Sequence, residues 1–117
     1  MRDIDWLRSQ GLRPKKSFGQ NFLHDVRIAE QIGVLATTPS GGSTLEIGAG
    51  MGALTEHLAE RAGLVVAVER DRDLVPYLEE KFSSSDHVHV READAAKLDW
   101  LEELKGGPRP HIVAGNL

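Results

Sequence analysis

Residues 46–55 read Glu-Ile-Gly-Ala-Gly-Met-Gly-Ala-Leu-Thr, which sets three glycines at alternate positions where an apolar run should turn into a helix. Glycine has no Cβ to obstruct a ligand, and the first N–H groups of a helix have no partner inside it. A turn of this kind is a cradle for a nucleoside-bearing ligand. Which ligand it takes depends on polar residues elsewhere in the chain, notably Asn21, Glu69, Asp94 and Asn116.

The flanking pattern places that turn in a repeating frame. Ile4 and Leu7 allow a short amphipathic helix that Gly11 ends, and residues 12–22 read as irregular. Asp25 is a candidate N-cap for a helix with Ile28, Ile32 and Leu35 on one face, broken by Thr38-Pro39-Ser40-Gly41-Gly42. A strand near 43–47 then leads through the glycines to a helix over 52–62, with Leu54 and Leu58 inward and Gly63 as its stop. Leu64 to Val68 is a continuous apolar strand, and Asp71 can cap a helix carrying Leu74, Tyr77 and Leu78, with exit loop Ser83–Asp86. Val88 to Val90 forms a third strand. Leu98, Leu101 and Leu104 suggest a helix, Gly106–Pro110 a turn, and His111 to Ala114 a fourth strand.

Apolar strands that alternate with helices predict a parallel sheet covered on both faces, an α/β fold. Ligands of such sheets bind beyond the carboxyl ends of the strands. Gly48, Glu69, Asp94 and Asn116 each fall at or just past one of the four predicted strand ends, so they converge on one rim. Taken singly, Glu69 reads as a solvated carboxylate, Asp94 as a helix cap and Gly115-Asn116 as a turn. Their convergence is what points to a site.

Bulk properties narrow the function classes. With 117 residues and 40% hydrophobic content the chain has room for one core. No stretch approaches the roughly 18 apolar residues of a membrane span, and no signal peptide begins at Met1. Both point to a soluble, cytoplasmic protein without a membrane partner. There is no cysteine, hence no disulfide or thiolate metal site. His24, His57, His87, His89 and His111 show no metal-ligand spacing, so no metal is expected. The net charge of −4 is uneven, because Arg8, Arg13, Lys15 and Lys16 cluster without an acidic neighbour, either as a solvated tail or as a local contact for an anionic partner.

Two cofactor readings compete at the glycine turn. Gly48, Gly50 and Ala53 satisfy the dinucleotide pattern G-x-G-x-x-G/A, with Glu69 about 20 residues on, so a dehydrogenase domain remains open. The extra Gly52, together with Glu46 inside the strand, favours S-adenosylmethionine. That cofactor carries a cationic sulfonium and an ammonium group but no pyrophosphate, and a carboxylate beside the turn suits it. Glu69 would accept from ribose hydroxyls and Asp94 from the adenine amine. Against this stands a plainer role for Glu46, a buried acid bonded to nearby backbone.

From Lys15 to Leu117 the chain resembles the ribosomal RNA adenine dimethyltransferases, on several separated motifs. Lys16-Ser17-Phe18-Gly19-Gln20-Asn21-Phe22-Leu23 is similar to the family's signature ahead of the cofactor domain, and Glu46 to Thr55 to its glycine loop. Glu69, Asp94-Ala95 and Gly115-Asn116-Leu117 resemble its ribose acid, its adenine-binding pair and the opening of its Asn-Leu-Pro-Tyr catalytic motif. Gly19, Gly52 to Thr55 and Leu117 agree with the branch acting on small-subunit rRNA rather than the antibiotic-resistance branch acting on large-subunit rRNA. Ala49 departs mildly, since proline is frequent there.

The resemblance implies a Rossmann-like class I methyltransferase fold, here ending after the fourth parallel strand. It divides the chain into a basic, irregular segment 1–24 and a partial S-adenosylmethionine-binding domain 25–117. It assigns Asn21, Leu23, Glu46, Gly48, Gly50, Gly52, Glu69, Asp94, Ala95 and Asn116 to the cofactor, with Asn116 and the Leu117 carbonyl as the catalytic pair. The partner it implies is ribosomal RNA in a small-subunit precursor, in ribosome biogenesis. Relatives that serve as non-catalytic assembly factors keep a further alternative open. The chain is expected to be the N-terminal portion of a longer protein, inactive alone and prone to self-associate through an unpaired fourth-strand edge.

Overall fold

The computed structural model describes residues 26–37 and 41–115. Helix α1 (Val26–Leu35), strand β1 (Ser43–Ile47), helix α2 (Ala53–Arg61), strand β2 (Leu64–Glu69) and helix α3 (Val75–Lys81) come first. Strand β3 (Val88–Glu92), a 3₁₀ turn (Ala95–Lys97), helix α4 (Trp100–Leu104) and strand β4 (His111–Gly115) complete the described order. The strands form one sheet in the order β3-β2-β1-β4, and every pair is parallel. The α/β alternation expected from the hydrophobic pattern is therefore present.

Strand periodicity distributes the side chains between two faces. Val65, Ala67 and Val88 pack with Leu54, Leu58, Leu78 and Phe82, so α2 and α3 cover one face, and Ala36 at the end of α1 joins them. Leu45, Val66 and Val68 turn the other way and meet Leu104 of α4, with Ala95 and Leu98 alongside. The chain winds β1-α2-β2-α3-β3 across one face, then crosses beneath by α4 to place β4 on the free side of β1. Its direction of travel reverses between β1 and β4. The crevice at such a reversal, beyond the strand carboxyl ends, is where a sheet of this kind binds ligands.

Register brings the rim residues level. Ile47 pairs with Val68 and with Gly115, and Val68 pairs with Arg91. The chain thus leaves β1 at Gly48, ends β2 at Glu69 and ends β4 at Gly115 in one row. β4 is an outer strand among the described residues.

Three local expectations change. The stripe Ile28, Ile32, Leu35 is not the inward face of α1: Leu35 is 83% exposed and Ile28 48%. Ala29 and Ala36 are buried instead, and a Cβ on Gly33 would stand 2.7 Å from the Cβ of His57, so α1 lies against α2 through its smallest residues. Close helix approach selects the small-residue stripe over the more apolar one. Asp71 does not cap α3 directly. Its Oδ1 accepts from the Asp73 amide at 2.9 Å and its carbonyl from the Leu74 amide at 3.0 Å, closing a turn ahead of the helix, which begins at Val75 with proline in its first turn. Finally, double-sided burial holds for β1 and β2 but not for β3, where His89, Arg91 and Glu92 are exposed. The expected helix near Ile4 and Leu7 and the Asp25 cap lie outside the described residues. No described helix is long and apolar enough to cross a membrane.

Candidate functional site

The glycine turn leaves β1 with φ of +74° at Gly48, +59° at Gly50 and +86° at Gly52, a backbone path that side chains resist. The outer two glycines serve different ends. Gly48 is exposed, and a Cβ built on it would meet nothing within 4 Å, so its surface faces open space at the rim. A Cβ on Gly52 would stand 2.9 Å from Phe82 and 3.2 Å from Leu78, so that glycine admits α3.

Most of the turn's amides are already engaged. Gly48 N and Ala49 N donate to the Val68 carbonyl at 2.9 and 3.1 Å, and Gly52 N donates to the Ala49 carbonyl at 2.9 Å. Gly50 N donates to Glu69 Oε1 at 2.7 Å, while Glu69 Oε2 accepts from Asp71 N at 2.9 Å. The Glu69 carboxylate, 2% exposed, thereby ties the turn after β1 to the turn after β2. A carboxylate oxygen can accept more than one hydrogen bond, so Glu69 keeps capacity for a ligand's hydroxyls.

Glu46 lies behind the same turn, 2% exposed, and accepts from the Thr55 hydroxyl of α2. Its bonded neighbour is thus a side chain rather than the backbone. Burial pushes its carboxyl from 4.5 up to about 8, the Thr55 bond pulls it down, and the nearby Glu69 charge pushes it up. The Glu69 carboxylate behind the glycine turn disfavours an anionic pyrophosphate and favours a ligand that brings positive charge, while Glu46, which burial keeps protonated, adds no charge there. With four turn amides occupied as well, the turn offers a bare glycine surface rather than the comb of N–H donors that a dinucleotide uses. This geometry weighs against the dehydrogenase alternative and fits a sulfonium nucleoside.

The outer part of the rim is built more lightly. Asp94 Oδ1 accepts from the Ala96 amide at 3.0 Å, so Asp94 caps the 3₁₀ turn, and the Ala95 carbonyl accepts from Trp100 Nε1 at 2.8 Å. Gly115 ends β4, where a Cβ would stand 2.8 Å from the Ile47 carbonyl. Asn21, Leu23, Asn116 and Leu117, and the basic residues Arg8, Arg13, Lys15 and Lys16, lie outside the described residues. The described residues contain no cluster of three or more His, Asp or Glu that could hold a metal ion.

The profile of the ribosomal RNA adenine dimethylase family matches residues 11–117. The chain belongs to that family. Among its relatives, the ribosomal RNA small subunit methyltransferase A of Moorella thermoacetica is 46% identical over 105 residues, covering 90% of this chain and 36% of the relative. The protein of the same name from Geobacter sulfurreducens is 45% identical over 112 residues, covering 95% of this chain and 41% of the relative. The chain thus spans well under half the length of these curated relatives. Among solved structures, the 23S rRNA methyltransferase ErmE superposes with a TM-score of 0.68 at 33% identity, over 81% of this chain and 36% of that one. A dimethyladenosine transferase from Plasmodium falciparum shares the fold, with a TM-score of 0.68 at 24% identity over 83% of this chain and 34% of that one.

Two contributors to the site carried no role in the sequence reading. Thr55 was visible only as part of a motif, with nothing to show that it bonds Glu46. Lys81 donates from Nζ to the Met51 carbonyl at 2.8 Å across thirty positions of chain. No periodicity links residues that far apart, so the sequence held no signal for that contact.

Proposed function

We propose that this chain is the cofactor-binding part of a cytoplasmic, S-adenosylmethionine-dependent enzyme that methylates the exocyclic amine of adenosine in small-subunit ribosomal RNA. The observation that carries the reading is the pair of buried acids, Glu46 and Glu69, behind an open glycine surface at the β1/β4 reversal. Family membership supplies the reaction class. Relatives named for the small subunit, at 46% and 45% identity, favour that substrate over the large-subunit RNA named for the 33% identical ErmE.

The cofactor, when bound, supplies an electrophilic methyl group on a sulfonium sulfur. The chain's own residues do the rest. Glu69 accepts from the ribose hydroxyls while holding the glycine turn, and Gly48 lets the nucleoside lie against backbone. Asp94, with Ala95 beside it, receives the adenine edge, and Asn21 and the Leu23 backbone take the methionine end. The amine of a target adenine is a weak nucleophile because its lone pair is delocalised into the ring. The Asn116 side-chain oxygen and the Leu117 carbonyl, accepting from its two hydrogens, draw the nitrogen toward tetrahedral geometry and stabilise the charge that develops. With the amine held in this way its proton can pass to solvent after methyl transfer, so these residues need no strong base among them.

The test is transfer of labelled methyl groups to small-subunit particles, using a protein of the relatives' full length that carries this chain. Asn116→Ala should lower transfer by about a hundredfold or more while leaving S-adenosylhomocysteine affinity within about threefold. Undiminished transfer in that variant overturns the catalytic assignment. Binding of RNA with no transfer by the wild type would mark a non-catalytic assembly factor, and uptake of a nicotinamide dinucleotide in place of S-adenosylhomocysteine a dehydrogenase.

A further inference from the structure

Lys81, the last residue of α3, places its ammonium beneath the glycine turn. Nζ donates to the Met51 carbonyl at 2.8 Å and pairs with Glu56 Oε1 of α2 at 2.7 Å. It lies 5.5 Å from the centre of the Tyr77 ring and 5.9 Å from that of Phe82, with its side chain 17% exposed. One cation therefore joins the turn, the first turn of α2 and the end of α3.

We propose that Lys81 is a positioning residue for the cofactor, selecting the orientation of the Met51–Gly52 peptide on which the shape of the glycine cradle depends. The inference rests on the S-adenosylmethionine reading of the site. At one end of this peptide the carbonyl is held by Lys81, and at the other the Gly52 amide donates to the Ala49 carbonyl at 2.9 Å. A peptide flip rotates ψ of the residue before it and φ of the residue after it. Gly52, without a Cβ, accepts either rotation, so on the backbone side the observed orientation is favoured by the Gly52 amide bond to Ala49 rather than by steric limits. The earlier amides of the turn are anchored on Val68 and Glu69, which act on Gly48, Ala49 and Gly50 and do not reach this peptide. A charge-assisted bond to the carbonyl, stronger than a neutral one, adds the larger share of the preference.

If the flipped form becomes dominant, the cofactor must first restore the competent one, and apparent affinity falls by the competent fraction. Lys81→Met keeps the stem against Tyr77 and Phe82 and removes the charge. In a protein of the relatives' full length, titration calorimetry should show S-adenosylhomocysteine binding about tenfold more weakly than in the wild type, as for a competent fraction of about a tenth. KM for S-adenosylmethionine should rise by a similar factor with kcat at saturation within about twofold, and Lys81→Arg should restore most of the affinity. Lys81→Gln, too short to reach the carbonyl, should match Lys81→Met. Wild-type affinity in Lys81→Met overturns the proposal. So does a loss of kcat and melting temperature in step with affinity, or failure of both the Met and Gln variants to fold, since either makes Lys81 merely structural. A wild type that binds no S-adenosylhomocysteine overturns the cofactor reading itself, a result distinct from an unchanged variant.

Discussion

The carboxyl ends of the two central strands, β1 and β2, are built differently from those of the outer strands, β3 and β4. At the centre, Glu46 and Glu69 are buried, and Glu69 spends both oxygens on backbone amides of two different turns. At the periphery, Asp94 is half-buried and caps a three-residue turn, while β3 beyond Val88 is largely exposed. The central half is held rigid by groups whose burial makes an unmet hydrogen bond costly, and the outer half by local bonds near water. Rigidity is thus concentrated where a nucleoside's sugar would be held, and lightness where its base would enter.

The largest effect expected from this contrast is at Glu69. Glu69→Ala strips the acceptor from the Gly50 and Asp71 amides, each worth about 1–3 kcal/mol when buried and unmet, and should weaken S-adenosylhomocysteine by about a hundredfold or more. Calorimetry that found near-wild-type affinity would remove the distinction between centre and periphery.

Glu46 refines the contrast through pH. Its folded carboxyl, at about 8, lies above its ordinary 4.5, so between those values the folded chain keeps a proton that the unfolded chain has released. Stability contributed by this group is therefore complete below about pH 4.5, declines as pH rises toward about 8 and is flat beyond. The slope is at most about 1.4 kcal/mol per pH unit. Urea midpoints measured across that range should fall in the wild type, and Glu46→Gln should lack this component. Parallel profiles would mean that Glu46 is ionised in the folded protein.

The smallest effect is expected at Asp94. Asp94→Ala removes the cap on Ala96 and should lower stability by about 0.5–2 kcal/mol, as for a cap elsewhere, with faster amide exchange confined to residues 95–97. A denaturation midpoint shifted further than that of Glu69→Ala would reverse the proposed order of the two halves.

Much of the fold was legible because its signals are local. β2 begins with the apolar run at Leu64 and ends one residue past it, the glycines fall at the turn, and Leu54 and Leu58 face inward as their spacing requires. Glu69 and Asp94 could be placed at strand ends for the same reason. The inward face of α1 was not legible, because Ile28 and Leu35 are the more apolar choice. Which stripe of a helix is buried depends on how near its neighbour stands, and the space between Gly33 and His57 belongs to the packed pair.

The site divides along the same line. Residue types and their order along the chain were enough to specify parallel strands, a glycine turn and acids at the rim, since each is a matter of periodicity or of one residue's conformational range. Folding alone settled that Glu69 holds Gly50, that Thr55 meets Glu46, that Gly52 makes room for Phe82 and that Lys81 reaches Met51. Those contacts join residues from different elements, and whether a polar group faces a ligand or a neighbouring turn is decided by the three-dimensional surroundings that bury it.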